Sequence, residues 1–107
     1  MNHQYNIHIA IPADAIHDLT IQKLDKLAGY TFPGFTRFDA NGGWVSYSLF
    51  LEPTVVYQVV LPDQHHDLTW SVASFAESAR KNLGQIEVLV TRTPVEVYHI
   101  TGKEENG

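Results

Sequence analysis

The chain has no cysteine. Disulfide scaffolds, thiolate zinc sites, iron–sulfur clusters and cysteine nucleophiles are therefore excluded, and the redox compartment leaves no trace. Cations are scarce too: seven Lys and Arg stand against twelve Asp and Glu, a net charge of −5 with neutral histidine. A binder of nucleic acid or of anionic membranes needs clustered cations to displace counterions, so neither partner is expected. No apolar run approaches the roughly 18 residues of a membrane span, and no basic–apolar leader opens the sequence. What remains is an ordinary globular composition over 107 residues, 44% hydrophobic and 18% charged. The expectation is one domain, residues 1–101, in the cytoplasm, with residues 102–107 a flexible tail.

Hydrophobic periodicity supplies the elements. Residues 4–11 (QYNIHIAI) alternate, with Tyr5, Ile7, Ile9 and Ile11 on one side, which is the period of a strand with one buried face. Pro12 stops it and Asp14 suits a helix cap. Ile16, Leu19, Thr20, Lys23, Leu24 and Leu27 then recur at helical spacing toward Gly29, with Lys23 at the edge of the apolar stripe. Residues 36–39 read as a strand and Asp39-Ala40-Asn41-Gly42-Gly43 as its turn, because glycine is free to take positive φ. Residues 44–51 return as the partner strand, Glu52-Pro53 interrupts it, and 54–61 (TVVYQVVL) resumes. After a polar loop at 63–67, Asp67 caps a second helix bearing Leu68, Val72, Phe75, Ala76, Ala79 and Leu83, and Gly84 ends it. Residues 85–91 form the last strand, Pro94 punctuates it, and 95–100 run on extended.

The order β-α-β-β-α-β places two helices on one face of an antiparallel sheet, the α+β ferredoxin-like arrangement. Right-handed crossovers are expected to set the first and last strands side by side at the centre. Both parities of Val55-Val56-Tyr57-Gln58-Val59-Val60 and of Val88-Leu89-Val90 are apolar, which is the pattern of strands covered on both faces. A single small chain has no third layer, so a homo-oligomer is expected, and three inward-facing sheets solve the burial symmetrically. The alternative cover is the last extended segment folded across the open face.

The candidate chemistry is sparse. Six histidines show no zinc spacing, and His65-His66 between Asp63 and Asp67 reads as a polar loop, so no metal is expected. There is no G-x-S-x-G elbow and no phosphate loop, so Gly42-Gly43 is first a turn. Glu52 stands out, a carboxylate set inside an apolar ribbon. Such a charge is costly unless cations or donors meet it, which makes it a candidate counter-charge for a cationic ligand as well as a solvated strand-break residue. Tyr30, Phe32, Phe35, Phe38, Trp44, Tyr47 and Tyr57 crowd the same region; they serve a core or interface, and their faces also suit a flat base with a positive centre.

Gly29-Tyr30, Gly34-Phe35-Thr36, Gly42-Gly43-Trp44, Glu52-Pro53, residues 55–59, the second helix and Gln85-Ile86-Glu87-Val88-Leu89-Val90, in that order, resemble a group of small phage and prophage proteins. That group includes the phage S-adenosylmethionine (SAM) lyases. The resemblance is gapped and spans roughly residues 5–91. It implies a PII-like trimer of ferredoxin-like subunits that binds a small nucleoside-like ligand between neighbours, with no cofactor. It also implies cleavage of SAM to methylthioadenosine and homoserine lactone. On this basis Glu52 matches the family's glutamate, while its tyrosine falls on Trp44, with Tyr47 as the other candidate. Trp44, Gly42, Gly43 and Tyr30 are then ligand-binding candidates, and Glu52 and Tyr47 catalytic ones. The other functions compatible with the residues are a non-catalytic PII-like sensor, a phage inhibitor of a host protein, or a structural oligomer.

Overall fold

The structure, a computed structural model, describes residues 2–12, 17–62, 66–85 and 87–102; side chains at 17, 18, 44, 46, 50 and 66–69 are outside that description. Six elements follow one another: β1 (Asn2–Ala10), α1 (His17–Thr31), β2 (Thr36–Ser46), β3 (Ser48–Pro62), α2 (His66–Leu83) and β4 (Leu89–Val95). The sheet has the order β2-β3-β1-β4 and is antiparallel throughout. This is the ferredoxin-like α+β fold expected from the pattern.

The strand placement needs one correction. β1 does pair with β4, but β4 lies on an edge and the centre is β3 and β1. Each crossover skips one place in the sheet, and the gap left by each βαβ unit is filled by a strand of the other. β3 therefore gains a nine-pair ladder to β1, from Asn2↔Pro62 to Ala10↔Thr54.

Alternation along β1 sends Tyr5, Ile7 and Ile9 under the helices, where they meet Val55, Tyr57, Val59 and Leu61 of β3. Ile21, Leu24 and Ala28 of α1 and Val72, Phe75, Ala76 and Ala79 of α2 close the core from above. Phe75 stands edge-on to both Phe32 and Tyr57, with centroids 5.4 and 5.3 Å apart. Tyr57 is fully buried, and its hydroxyl donates to Asp25 Oδ1 at 2.6 Å. Asp25 in turn meets Arg37 Nε at 3.0 Å, and Arg37 also pairs with Asp39. This chain of polar contacts ties α1 to the β2–β3 hairpin. Burial, reinforced by the bond to Asp25, holds the Tyr57 hydroxyl protonated far above the usual tyrosine range.

The element ends differ from expectation for identifiable reasons. α1 runs past Gly29 to Thr31, whose hydroxyl donates to Leu27 O at 2.7 Å and closes the last turn. α2 already includes Asp67, so Asp67 does not precede the helix as its cap; Asp14, His65 and the tail beyond Gly102 lie outside the described residues. Gly84 ends α2 as expected, at φ 64°, with its N–H bonded to Lys81 O and that of Gln85 to Arg80 O. β4 spans Leu89–Val95 and carries Pro94 inside it. An edge strand has one unpaired side, so a missing N–H there leaves no partner unsatisfied.

The hairpin departs furthest from the sequence reading. Asp39-Ala40-Asn41-Gly42-Gly43 is no turn: it lies in β2, and the chain reverses at Tyr47, between the paired Ser46 and Ser48. A reversal at 41–42 would spend 44–51 against 36–39 and leave Val55 and Tyr57 without a second ladder. The observed register instead sets Arg37 opposite Tyr57 and Phe38 opposite Val56. Glu52-Pro53 does not interrupt β3 either. The Pro53 carbonyl accepts from Ile11 N at 2.9 Å, so its missing N–H lies on that same side, one residue past the last β1–β3 pair, and costs a bond only at the end of that ladder.

Candidate functional site

Because β1 reaches only to Thr54, the distal hairpin, residues 41–46 and 48–53, continues as a two-stranded ribbon beyond the sheet. The radius of gyration of 16.2 Å exceeds the roughly 13 Å of a compact chain this size, and the long axis is 61 Å. Five of the six candidate site residues sit on this arm.

Glu52 pairs with Gly42 in the ladder. It is half-buried, and among the described residues it has no ion-pair partner. The Thr54 hydroxyl donates to Glu52 O at 3.2 Å. A Cβ placed on Gly42 would come within 2.9 Å of that same hydroxyl. Glycine is thus favoured at 42 by close approach across the strands rather than by a turn. The consequence is a bare backbone position directly facing the carboxylate's residue.

Trp44 and Gly43 pair with Phe50 and Leu51. Trp44 is therefore diagonal to Glu52, roughly 7–8 Å away and on the same parity of the ribbon. Its indole is outside the described side chains. Tyr47 is fully exposed at the tip with φ 39°, a left-handed conformation uncommon for a bulky residue. Five residues of strand put it about 16 Å from Glu52, so the two do not meet within one chain. Of the two candidates for the aromatic partner, Trp44 has the register.

Tyr30 is also exposed, but it lies in the last turn of α1, next to the root of the hairpin. From Thr36 to Gly42 the strand climbs about 20 Å, so one chain does not bring Tyr30 to Glu52.

Three further features of this region were not apparent in the sequence. Val45, Leu49 and Leu51 are 77%, 63% and 66% exposed, and they occupy the ribbon parity that the helices cover further down. An unsupported apolar ribbon of this length is a surface awaiting cover. The sheet face away from the helices is mixed rather than wholly apolar. Val56 is buried there, Phe38, Val60 and Leu89 are exposed, and Gln58 Nε2 donates to Asn6 Oδ1 at 3.1 Å. The Tyr57–Asp25–Arg37 chain had no sequence signal, since its members lie up to 32 residues apart.

Among the described residues no group of three potential metal ligands comes together, and no helix is long and apolar enough to cross a membrane. Glu87, a second isolated acid in the sequence, is exposed.

No family model matches the chain, and no curated protein does. Solved structures do. The chain is similar to a phage SAM lyase in complex with S-methyl-5'-thioadenosine, with a TM-score of 0.65 and 18% identity over 94% of this chain and 90% of that one. The apo phage SAM lyase gives 0.60 and 19% identity over 95% and 90%. CutA from Archaeoglobus fulgidus gives 0.58 at 9% identity over 92% and 88%, and the B. subtilis GlnK–ATP complex 0.57 at 15% over 86% and 81%. At such identities the shared property is the fold, a ferredoxin-like α+β domain. The gapped resemblance to the phage SAM lyases read from residues 5–91 is thus matched in three dimensions.

Proposed function

We propose that this protein is a SAM lyase-like enzyme, a homotrimer that binds SAM between subunits in the host cytoplasm and cleaves it to methylthioadenosine and homoserine lactone. The observation that carries the reading is the placement of Glu52, half-buried and with no cationic partner among the described residues, opposite a side-chain-free position on an arm of this fold. Two further facts support it: the likeness to a phage SAM lyase holding methylthioadenosine, and the separation of Tyr30 from Glu52 within one chain. A second subunit would bring such residues together.

The reaction asks little of the protein. The substrate's carboxylate oxygen attacks its own γ-carbon, the C–S bond breaks, and its electron pair leaves with sulfur as neutral methylthioadenosine. The ring formed is homoserine lactone. No proton needs to move at the leaving group, so the work is conformational: folding the methionine portion so that oxygen, carbon and sulfur align. Glu52 would meet the positive charge of the substrate, Trp44 would face the flat base or ribose, with Tyr47 of a neighbour as the alternative, and the Gly42–Gly43 backbone would allow close approach.

The test is incubation with SAM followed by chromatography for methylthioadenosine and the lactone. Product is expected from the native chain. Glu52→Gln is expected to lower turnover by about 100-fold with the assembly unchanged, the scale of removing one fixed electrostatic contact. Absence of both product and ligand-induced stabilisation overturns the reading. Stabilisation by SAM without product supports instead a non-catalytic sensor, the role suggested by the likeness to GlnK with bound ATP.

A further inference from the structure

Between the middle of α1 and the last turn of α2 lies a groove of about 520 Å³. Its volume falls within the range of about 300–1,000 Å³ typical of small-molecule sites. Thr20, Lys23, Leu24 and Leu27 line one wall, a single i, i+3, i+4, i+7 stripe of α1, and Asn82 and Leu83 of the last turn of α2 line the other. The floor is the margin of the core itself: Leu24 is buried, and Leu27 and Leu83 pack against the core cluster while remaining half-exposed. Above this apolar floor stands one charge. Lys23 interrupts the apolar stripe of α1, is exposed, and among the described residues has no carboxylate partner. Among the described residues, no acidic one lines the groove. Thr20 and Asn82 add neutral hydrogen-bonding groups at its rim.

A cation over a leucine floor, flanked by an amide and a hydroxyl, matches one ligand chemistry: a compact apolar body ending in a carboxylate. The floor removes hydrocarbon from water, and the ammonium, amide and hydroxyl take the head group. A cationic amphiphile meets Lys23 instead of a counter-charge, and a neutral one leaves the lysine unpaired. We propose that this interhelical groove is a binding site for a medium-chain monocarboxylate. It lies in the helical layer, apart from the arm, and its occupancy does not depend on the activity proposed above.

The experiment uses the full chain with methyl-labelled leucines, titrated with sodium octanoate below its micellar concentration and followed by NMR. Saturable shifts centred on Leu24, Leu27 and Leu83 are expected, with octylammonium chloride producing none. Lys23→Gln is expected to weaken octanoate binding about three- to fivefold, the worth of one exposed charge contact. Since Lys23 is exposed, that variant should fold as the native chain does, which the unshifted methyls of the core report directly. Shifts that do not saturate, that map to other leucines, that occur equally with octylammonium, or that are unaltered by Lys23→Gln each overturn the assignment.

Discussion

Replacing Tyr57 with phenylalanine isolates the contact that fastens the helical layer to the hairpin. The ring keeps its packing against Phe75 and Phe35, 5.3 and 5.5 Å away, and only the hydroxyl is lost. A hydrogen bond to a charged group contributes about 1.5–3 kcal/mol. Asp25 retains Arg37 at 3.0 Å and is 35% exposed, so water replaces part of the lost donor. The expected loss at pH 7 is therefore near the low end, about 1.5 kcal/mol, or roughly 6–9 °C in Tm for a domain of this size. The pH dependence is the sharper part. In the unfolded chain tyrosine ionises near pH 10, whereas burial and then Asp25 hold the folded Tyr57 protonated well above that. Above about pH 10 the unfolded state sheds a proton that the folded state keeps, so this group lowers wild-type stability by about 1.4 kcal/mol per pH unit. Tyr57→Phe has nothing to ionise there. The gap between the two proteins should narrow above pH 10 and close near pH 11, the remaining tyrosines cancelling in the difference. Urea midpoints by circular dichroism from pH 7 to 11.5 measure it. A gap that stays constant to pH 11 refutes the reasoning, because it would mean the hydroxyl is not held protonated by the fold.

Gly84→Ala forces a Cβ at φ 64° and should cost about 1 kcal/mol in urea unfolding, although no atom lies within 4 Å to clash with it. Pro94→Ala, on the outer edge of the sheet, should change the midpoint by less than about 0.5 kcal/mol, whereas a central-strand proline would behave otherwise. Gly42→Ala should lower stability by about 1 kcal/mol or less, because the Thr54 hydroxyl can rotate aside by giving up its bond to Glu52, but it should weaken any ligand response much more; thermal shift with and without SAM compares the two. Light scattering should report three times the 12.1 kDa chain mass, and a monomer at micromolar concentration would remove the inter-subunit site.

Where one periodicity dominates, the sequence was readable. Tyr5, Ile7 and Ile9 announce β1, and the stripe from Val72 to Ala79 announces α2, because burying one face is the largest local energy at stake. The hairpin was misread because glycine serves two purposes. At Gly84 it answers a backbone angle, and at Gly42 it answers the nearness of Thr54, which no local pattern reveals. The two prolines misled in the same way: a proline breaks a strand where its lost N–H would sit inside a ladder, whereas Pro53 lies just past the end of the β1 ladder and Pro94 lies on the edge strand. Glu52 was singled out from its apolar surroundings, but its distances from Tyr47 and Tyr30 depend on a register set by Arg37 and Tyr57, far along the chain. The strand order likewise turned on which gap each crossover left, a property of the whole sheet.

β3 lives in two regimes along its length. From Thr54 to Gln58 it is flanked on both sides at the centre of the sheet, while from Ser48 to Pro53 β2 is its one paired strand. Substitutions on the outer stretch therefore add little to the energy of the folded core and interact weakly with changes made there. Recognition can drift on such a limb, one residue at a time, while the scaffold that carries it stays intact.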